Sequence, residues 1–215
     1  MKKQSNLSRL LDYAGTYRIL CYLSWVLAAA GALCLGVAAE TVQKALAVFP
    51  GVPGRLERVS GIPADFSVFL DYAHTPDALE KLLRSARGFG GGRRIVLLFG
   101  CGGDRERGKR AQMGRIASRF ADFLILTSDN CRSEKPEAIL ADILRGVDKE
   151  KPYIVISDRR EAIRYAVLHA EPGDILLLAG KGHETYEIRG KQRLPFSERE
   201  IVRESFAERT AGNEN

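Results

Sequence analysis

Two glycine-rich stretches, one polar tetrapeptide and one Asp-His segment hold most of the residues able to do chemistry. The run Gly100-Cys101-Gly102-Gly103-Asp104-Arg105-Glu106-Arg107-Gly108-Lys109-Arg110 follows an apolar segment and opens an amphipathic one. Gly103 and Gly108-Lys109 stand at the spacing of a nucleotide-binding P-loop. The next residue, however, is Arg110, where that loop places a Ser or Thr hydroxyl on magnesium. What remains is an anion-binding turn, a helix amino terminus ringed by Arg105, Arg107, Lys109 and Arg110 that suits a carboxylate or a phosphate. The plainer alternative is a solvated basic turn whose glycines only permit tight geometry. Farther along, Asp129-Asn130-Cys131-Arg132 sets a carboxylate, a carboxamide, a thiol and a guanidinium side by side. Gly180-Lys181-Gly182-His183-Glu184 is the second glycine turn, and Asp71-Tyr72-Ala73-His74 lies upstream of both.

The elements that must position these residues are short apolar runs alternating with amphipathic stretches from Ala64 onward, the pattern of a mostly parallel α/β sheet covered by helices. Six strands are predicted: Phe66 to Leu70, Ile95 to Phe99, Phe123 to Thr127, Tyr153 to Ser157, Ile175 to Ala179, and a short last one at Tyr186 to Ile188 near Gly190. Thr75-Pro76-Asp77 opens a helix through Arg87, Lys109 to Phe120 carries the next, and Lys135-Pro136 starts a third. Asp158 caps a fourth through His169, and Ser197 with Glu200 has capping-box spacing for a last helix ending near Glu208. Binding residues of such a fold lie at the carboxyl ends of its strands. Asp71 and His74, Gly100 to Arg110, Ser128 to Arg132 and Gly180 to Glu184 all fall there, so four loops are expected to converge on one edge.

Composition narrows the class. The chain has 215 residues, 45% of them hydrophobic, enough for one α/β domain with additional chain. Cys21, Cys34, Cys101 and Cys131 form no C-x-x-C pair and have no histidine at ligand spacing, which points to a reduced cytoplasmic setting and to no metal site. The net charge is +6, and half of it comes from Lys2, Lys3, Arg9 and Arg18 against Asp12, so no nucleic-acid partner is expected. Ile19 to Ala39 carries no charged side chain and approaches the ~20 residues of a membrane span. It reads either as a contact with the inner membrane or as a buried helix ending near Gly36.

The motifs DYAHTPD at Asp71 to Asp77, GCGGDRERGKR at Gly100 to Arg110, DNCR at Asp129 to Arg132 and GKGHE at Gly180 to Glu184 occur in the order seen in the Mur ligases of the MurE type. Residues Leu27 to Glu208 resemble the carboxyl-terminal domain of that family, which implies a Rossmann-like fold. Gly51 to Arg55 resembles the junction with a central domain. The family resemblance implies ATP- and Mg2+-dependent synthesis, in which the γ-carboxylate of D-Glu in UDP-MurNAc-L-Ala-D-Glu becomes an acyl phosphate and is attacked by an amine. Where the family's loop reads Asp-Asn-Pro-Arg the amine belongs to meso-diaminopimelate. By that correspondence Arg110, Asn130, Arg132, Gly180 and Glu184 hold the amino acid, with Asp129 shaping the loop, and Arg55 and Asp71 touch the nucleotide, with His74 beside them. Arg132 would then grip the second carboxylate, which lysine lacks. Asp71 as a turn cap, Glu184 as a surface acid and His183 as a satisfied loop histidine are the plainer alternatives.

Two departures accompany the resemblance. Cys131 stands where the family has proline, which restores a backbone donor, frees φ and is expected to loosen the presentation of Arg132. No Gly-x-x-x-x-Gly-Lys-Ser/Thr occurs, and the UDP-sugar and ATPase domains of the family have no counterpart here. The expected organisation is a foreign or membrane-like helical lead at 1–30, a remnant of the central domain with its linker at 31–63, the ligase domain at 64–208 and a disordered tail at 209–215. Residues 1–27 weakly resemble the start of an ABC exporter's membrane domain, so two unrelated starts would join near Trp25 to Gly31. The readings that follow are an amino-acid-binding part inactive alone, half of a split enzyme completed by a second ligase chain, or a non-catalytic module that binds diaminopimelate or a muropeptide.

Overall fold

The computed structural model describes residues 31, 34–48 and 51–212. The chain divides into two compact units between Val52 and Pro53, within the Gly51 to Arg55 stretch. In the first unit the described residues form helix α1 (Ala39–Val48). The lead at 1–27 and most of the uncharged run Ile19 to Ala39 lie outside the described residues; among those described, no helix is long and apolar enough to cross a membrane.

The second unit runs in the order β1 (Glu57–Arg58), β2 (Ser67–Asp71), α2 (Pro76–Gly90), β3 (Ile95–Phe99), α3 (Gly108–Phe120), β4 (Phe123–Leu126), α4 (Pro136–Leu144), β5 (Tyr153–Val155), α5 (Arg159–Leu168), β6 (Ile175–Ala179), β7 (Tyr186–Arg189), β8 (Gln192–Pro195) and α6 (Glu198–Gly212). Strands β2, β3, β4 and β6 are near-continuous Leu, Ile, Val and Phe because both of their faces are covered. Val68, Leu70, Val96, Leu98, Ile125, Leu176 and Leu178 pack with Ala162, Ile163 and Val167 of α5 and with Ile201 and Val202 of α6. The alternate strand residues, among them Ile95, Leu97, Leu124 and Leu177, are buried along with Leu79 and Leu83 of α2, Met113 of α3 and Ile143 of α4. Each such aliphatic side chain contributes roughly 1.5–3 kcal/mol on burial.

The sheet order is β1-β2-β6-β3-β4-β5, parallel except for β1. The last long strand, β6, inserts between β2 and β3, so the loop after it rises between the loops after those two. Register brings the strand ends level: Asp71 and Phe99 are both partners of Ala179, and Phe99 is the partner of Leu126. Four loops therefore start from one line. Local chemistry secures the intervening helices. Thr75 Oγ1 accepts from Ala78 N at 3.3 Å with Pro76 in the first turn of α2, and Asp158 accepts from Arg160 N and Glu161 N to start α5.

Two elements differ from the expectation. The sixth strand of the sheet is β1, too short at two residues to show a sequence period, whereas Tyr186 to Ile188 pairs in a separate hairpin with β8. Gly190, at φ +59, makes the tight turn that lets β7 pair with the chain just after it. Helix α6 also continues past Glu208 to Gly212. Arg209 holds that end, donating to the Val167 carbonyl at 2.7 Å and stacking over Phe66.

Candidate functional site

The DNCR loop leaves β4 and is held on three sides by backbone contacts. Gly103 N donates to Asn130 O at 2.9 Å, Arg132 N donates to Ile188 O at 3.1 Å, and Gly190 N donates to Arg132 O at 2.8 Å. Arg132 has φ +50, a left-handed conformation that non-glycine residues adopt only when their surroundings enforce it. Here the β7–β8 hairpin enforces it. The backbone N–H of residue 131 is not part of that clamp. The Cys131 N–H donates to no other residue among those described, while its buried thiol donates weakly, at 3.8 Å, to Ile188 O, the carbonyl that also accepts from Arg132 N. The backbone donor expected from cysteine in place of proline is thus unused.

Asn130 is the hub. Its Oδ1 accepts from Lys181 Nζ at 3.1 Å and Ile188 N at 2.9 Å, and its Nδ2 donates to Glu184 Oε2 at 2.9 Å. Arg132 Nη1 donates to the carbonyls of Asn130 and Gly103, while its Nε and Nη2 have no partner among the described residues. A guanidinium edge and a carboxylate thus flank one carboxamide. Asp129 is buried beneath them. Burial pushes its carboxyl upward, but the charges of Arg159 and Lys181 and the Asn130 N–H outweigh that and hold it below its ordinary value. Gly180, at φ +118, passes directly over Asp129; a Cβ there would lie 2.8 Å from Asp129 Oδ2.

The nucleotide-type residues form a second group around Tyr72. The Arg55 guanidinium lies 5.0 Å from the Tyr72 ring centre, and His74 and His183 stand 4.6 and 5.2 Å from it. Lys109 Nζ donates to His74 O, joining the glycine-rich turn to this group. Asp71 takes the backbone N–H of Leu56 at 2.7 Å and of Ala73 at 2.8 Å, so its buried carboxylate shapes the turns that carry Arg55 and His74. Gly54 and Gly182 let the two loops touch backbone to backbone, for a Cβ on Gly54 would fall 2.2 Å from His183 N. Burial, then the Glu184 charge, raises the Tyr72 hydroxyl above its usual range.

Arg110 is placed differently from the rest. It is fully buried, and its guanidinium donates to Glu134 at 2.7 and 2.9 Å and to Asp142 at 3.0 Å, tying α3 to the 134 turn and to α4. The carboxylate it was expected to hold in a ligand is supplied from within the protein. Cys101, in the same loop, is buried, and that burial pushes its thiol up to about 12.

Sequence reasoning missed the ionic layer under the site. Lys181 and Arg159 have no exposed surface, and Glu198 is almost fully buried with them. Arg159 donates to Ser128 O, Ala179 O and Glu198 Oε1, joining the ends of β4 and β6 to α6. One signal for it was available: an arginine in the first turn of a helix opposes the helix dipole and needs acceptors from elsewhere. Lys181, two residues past the end of the apolar strand β6, is a second cation placed next to the core. Among the described residues no group of three His, Cys, Asp or Glu is arranged to hold a metal ion.

A parallel α/β sheet whose level strand ends carry a carboxamide, a guanidinium and a carboxylate defines a Rossmann-like ligand-binding domain. The chain belongs to the Mur ligases: residues 54–182 match the family model described as "Mur ligase, glutamate ligase domain". A relative from Synechococcus elongatus, the UDP-N-acetylmuramoyl-L-alanyl-D-glutamate--2,6-diaminopimelate ligase, is 53% identical over 175 residues, covering 81% of this chain and 35% of the relative. The enzyme of the same name from Caldanaerobacter subterraneus is 51% identical, covering 81% and 36%. A solved structure of a ligase of that name superposes with a TM-score of 0.69 at 36% identity, over 86% of this chain and 38% of the other. The UDP-N-acetylmuramate-alanine ligase MurC of Thermotoga maritima, 22% identical with a TM-score of 0.56, shares the fold. The chain thus spans little more than a third of the length of the relatives it matches.

Proposed function

We propose that this chain supplies the amino-acid-binding part of an ATP-dependent ligase that joins meso-diaminopimelate to UDP-MurNAc-L-Ala-D-Glu in peptidoglycan synthesis. The observation that carries the reading is the linked set Arg132, Asn130 and Glu184. A guanidinium with free N–H groups beside a carboxylate with a free oxygen complements the carboxylate and ammonium of an α-amino acid end. Meso-diaminopimelate carries two such ends, so one is gripped while the amine of the other is left to attack. Lysine has no carboxylate at its distal end and leaves Arg132 unanswered. Gly180 and Asp129 keep the site's floor in place, and Arg110 braces the loop from behind.

The electrophile in this reading is an acyl phosphate made from the D-Glu γ-carboxylate by ATP with Mg2+. Arg55 and His74, with Tyr72 and His183 between them, fit one edge of a nucleotide by offering a cation and aromatic faces. Asp71 acts by holding their turns. These residues make no phosphate cradle, and positioning by such a cradle and its magnesium accounts for most of phosphoryl-transfer catalysis. The reading is therefore of a part that binds the amino acid and turns over no ATP by itself. UDP-MurNAc-dipeptide and nucleotide would engage fully only alongside the remaining family length, in the same or a complementing chain.

Isothermal titration of the full chain with meso-diaminopimelate, with lysine as competitor, tests this. Lysine should bind at least about tenfold more weakly, and Arg132→Ala should abolish the preference, the size of losing one charge-assisted interaction. Equal affinity for both amino acids, or no binding by the folded chain, would overturn it.

A further inference from the structure

We propose that Lys181 is a positioning residue of the amino-acid site, acting through Asn130 to fix how Glu184 meets a ligand; this rests on the amino-acid-binding reading above. Lys181 is fully buried. Its ammonium faces three oxygens, Tyr186 O at 3.0 Å, Asn130 Oδ1 at 3.1 Å and Asp129 Oδ1 at 3.4 Å, with the Phe196 ring centre 5.4 Å away. An ammonium donates and never accepts, so the Asn130 atom facing it must be the oxygen. The Ile188 N–H, 2.9 Å from the same atom, imposes the same choice.

With two donors on Oδ1, the Asn130 amide has one orientation, and its Nδ2 is left to donate to Glu184 Oε2. Glu184 is then held by one oxygen while the other, Oε1, has no hydrogen bond among the described residues and is free for a ligand ammonium. Turning the amide over would set Oδ1 against the Glu184 carboxylate and remove that support. Lys181 also gives Asp129 one of its two nearby positive charges, the other being Arg159. Burying an ammonium costs several kcal/mol unless acceptors surround it. Here the acceptors are the backbone and side chains that define the DNCR loop and the start of the hairpin. A role confined to joining the loops would change stability without controlling the Asn130 amide.

The test uses the 15N-labelled full chain, with the Asn130 side-chain amide assigned by its loss in Asn130→Asp. In the unsubstituted protein one Nδ2 proton should be shifted downfield and protected from solvent exchange by Glu184. Lys181→Met leaves Oδ1 with the Ile188 N–H but without its charged donor, so it should move that signal part of the way toward the position of a free amide and weaken meso-diaminopimelate binding about tenfold, the loss expected for one hydrogen bond to a charged group. Lys181→Gln, which keeps an N–H donor, should recover the signal and most of the affinity. An Asn130 signal and an affinity unchanged in Lys181→Met would overturn the proposal. Should Lys181→Met not fold, Glu184→Ala decides: the downfield signal should vanish in it, and its persistence would overturn the proposal. If the signals behave as expected but the unsubstituted chain binds no meso-diaminopimelate, the amino-acid reading falls while the hold of Lys181 on Asn130 and Glu184 stands.

Discussion

Gly103→Ala separates close backbone approach from backbone conformation as the reason for a glycine. Gly103 has no positive φ, so alanine can adopt its backbone angles. Its added Cβ, however, would lie 1.9 Å from Cys131 O and 2.7 Å from Cys131 C, where a carbon and an oxygen normally meet at roughly 3.3 Å. The glycine-rich turn and the DNCR loop must then part by about 1.4 Å, the difference between those separations. That shift breaks Gly103 N to Asn130 O and Arg132 Nη1 to Gly103 O, both 2.9 Å. Each such bond contributes about 0.5–1.5 kcal/mol, so the loss should centre near ~2 kcal/mol. For a unit of this size that lowers Tm by roughly 4–8 °C. Urea and thermal unfolding measure it, with Gly88→Ala as the control. Gly88 lies in α2, where an added methyl group would meet no atom within 4 Å, and alanine there should leave stability unchanged or raise it by up to about 1 kcal/mol. A Gly103→Ala protein with the midpoint of the unsubstituted chain would refute the argument from close approach.

Arg159→Met removes the buried cation beneath the site and leaves Glu198 and Asp129 short of a counter-charge; urea unfolding should show a loss of about 3–5 kcal/mol, and a loss below about 1 would contradict the role assigned to the ionic layer. Glu134 is held at about 2, against an ordinary 4.5, chiefly by the hydrogen bond from Arg110. A depressed carboxyl stabilises the fold above its unfolded value and loses that contribution as pH falls through the folded one. The urea midpoint should therefore decline between pH 4.5 and about 2, and Glu134→Gln should reduce the dependence in that window. Cys131→Pro should change meso-diaminopimelate affinity by less than about twofold, because the clamp on Arg132 runs through Ile188 and Gly190; titration showing a tenfold change would place residue 131 in the clamp after all.

Much of the architecture was legible in the residues. Strands buried on both faces need unbroken apolar runs, and Ile95 to Phe99 and Ile175 to Ala179 announce themselves for that reason. Thr75-Pro76 and Asp158 mark helix starts because their side chains answer backbone N–H groups only a few residues away. Strand β1 was not legible, since two residues show no period and their pairing with β2 depends on a return of the chain. Nor was the hairpin partner of Tyr186 to Ile188, whose exposed residues Gln192 to Pro195 carry no apolar alternation.

The sequence by itself determined which strand-end loops carry the polar, charged and glycine residues, since residue type and position at strand ends are local properties. It also determined the motif order that marks the Mur ligases. Only the tertiary structure decided how those residues are used. The insertion of β6 between β2 and β3 set Gly180 to Glu184 among the other loops, and that arrangement turned Asn130 into a hub. The same folding enclosed Arg110 between Glu134 and Asp142 while leaving Arg132 with free donors. Two arginines read alike in a sequence, but burial and the nearest acceptor, both set by residues distant along the chain, decide whether a guanidinium braces the fold or faces a ligand.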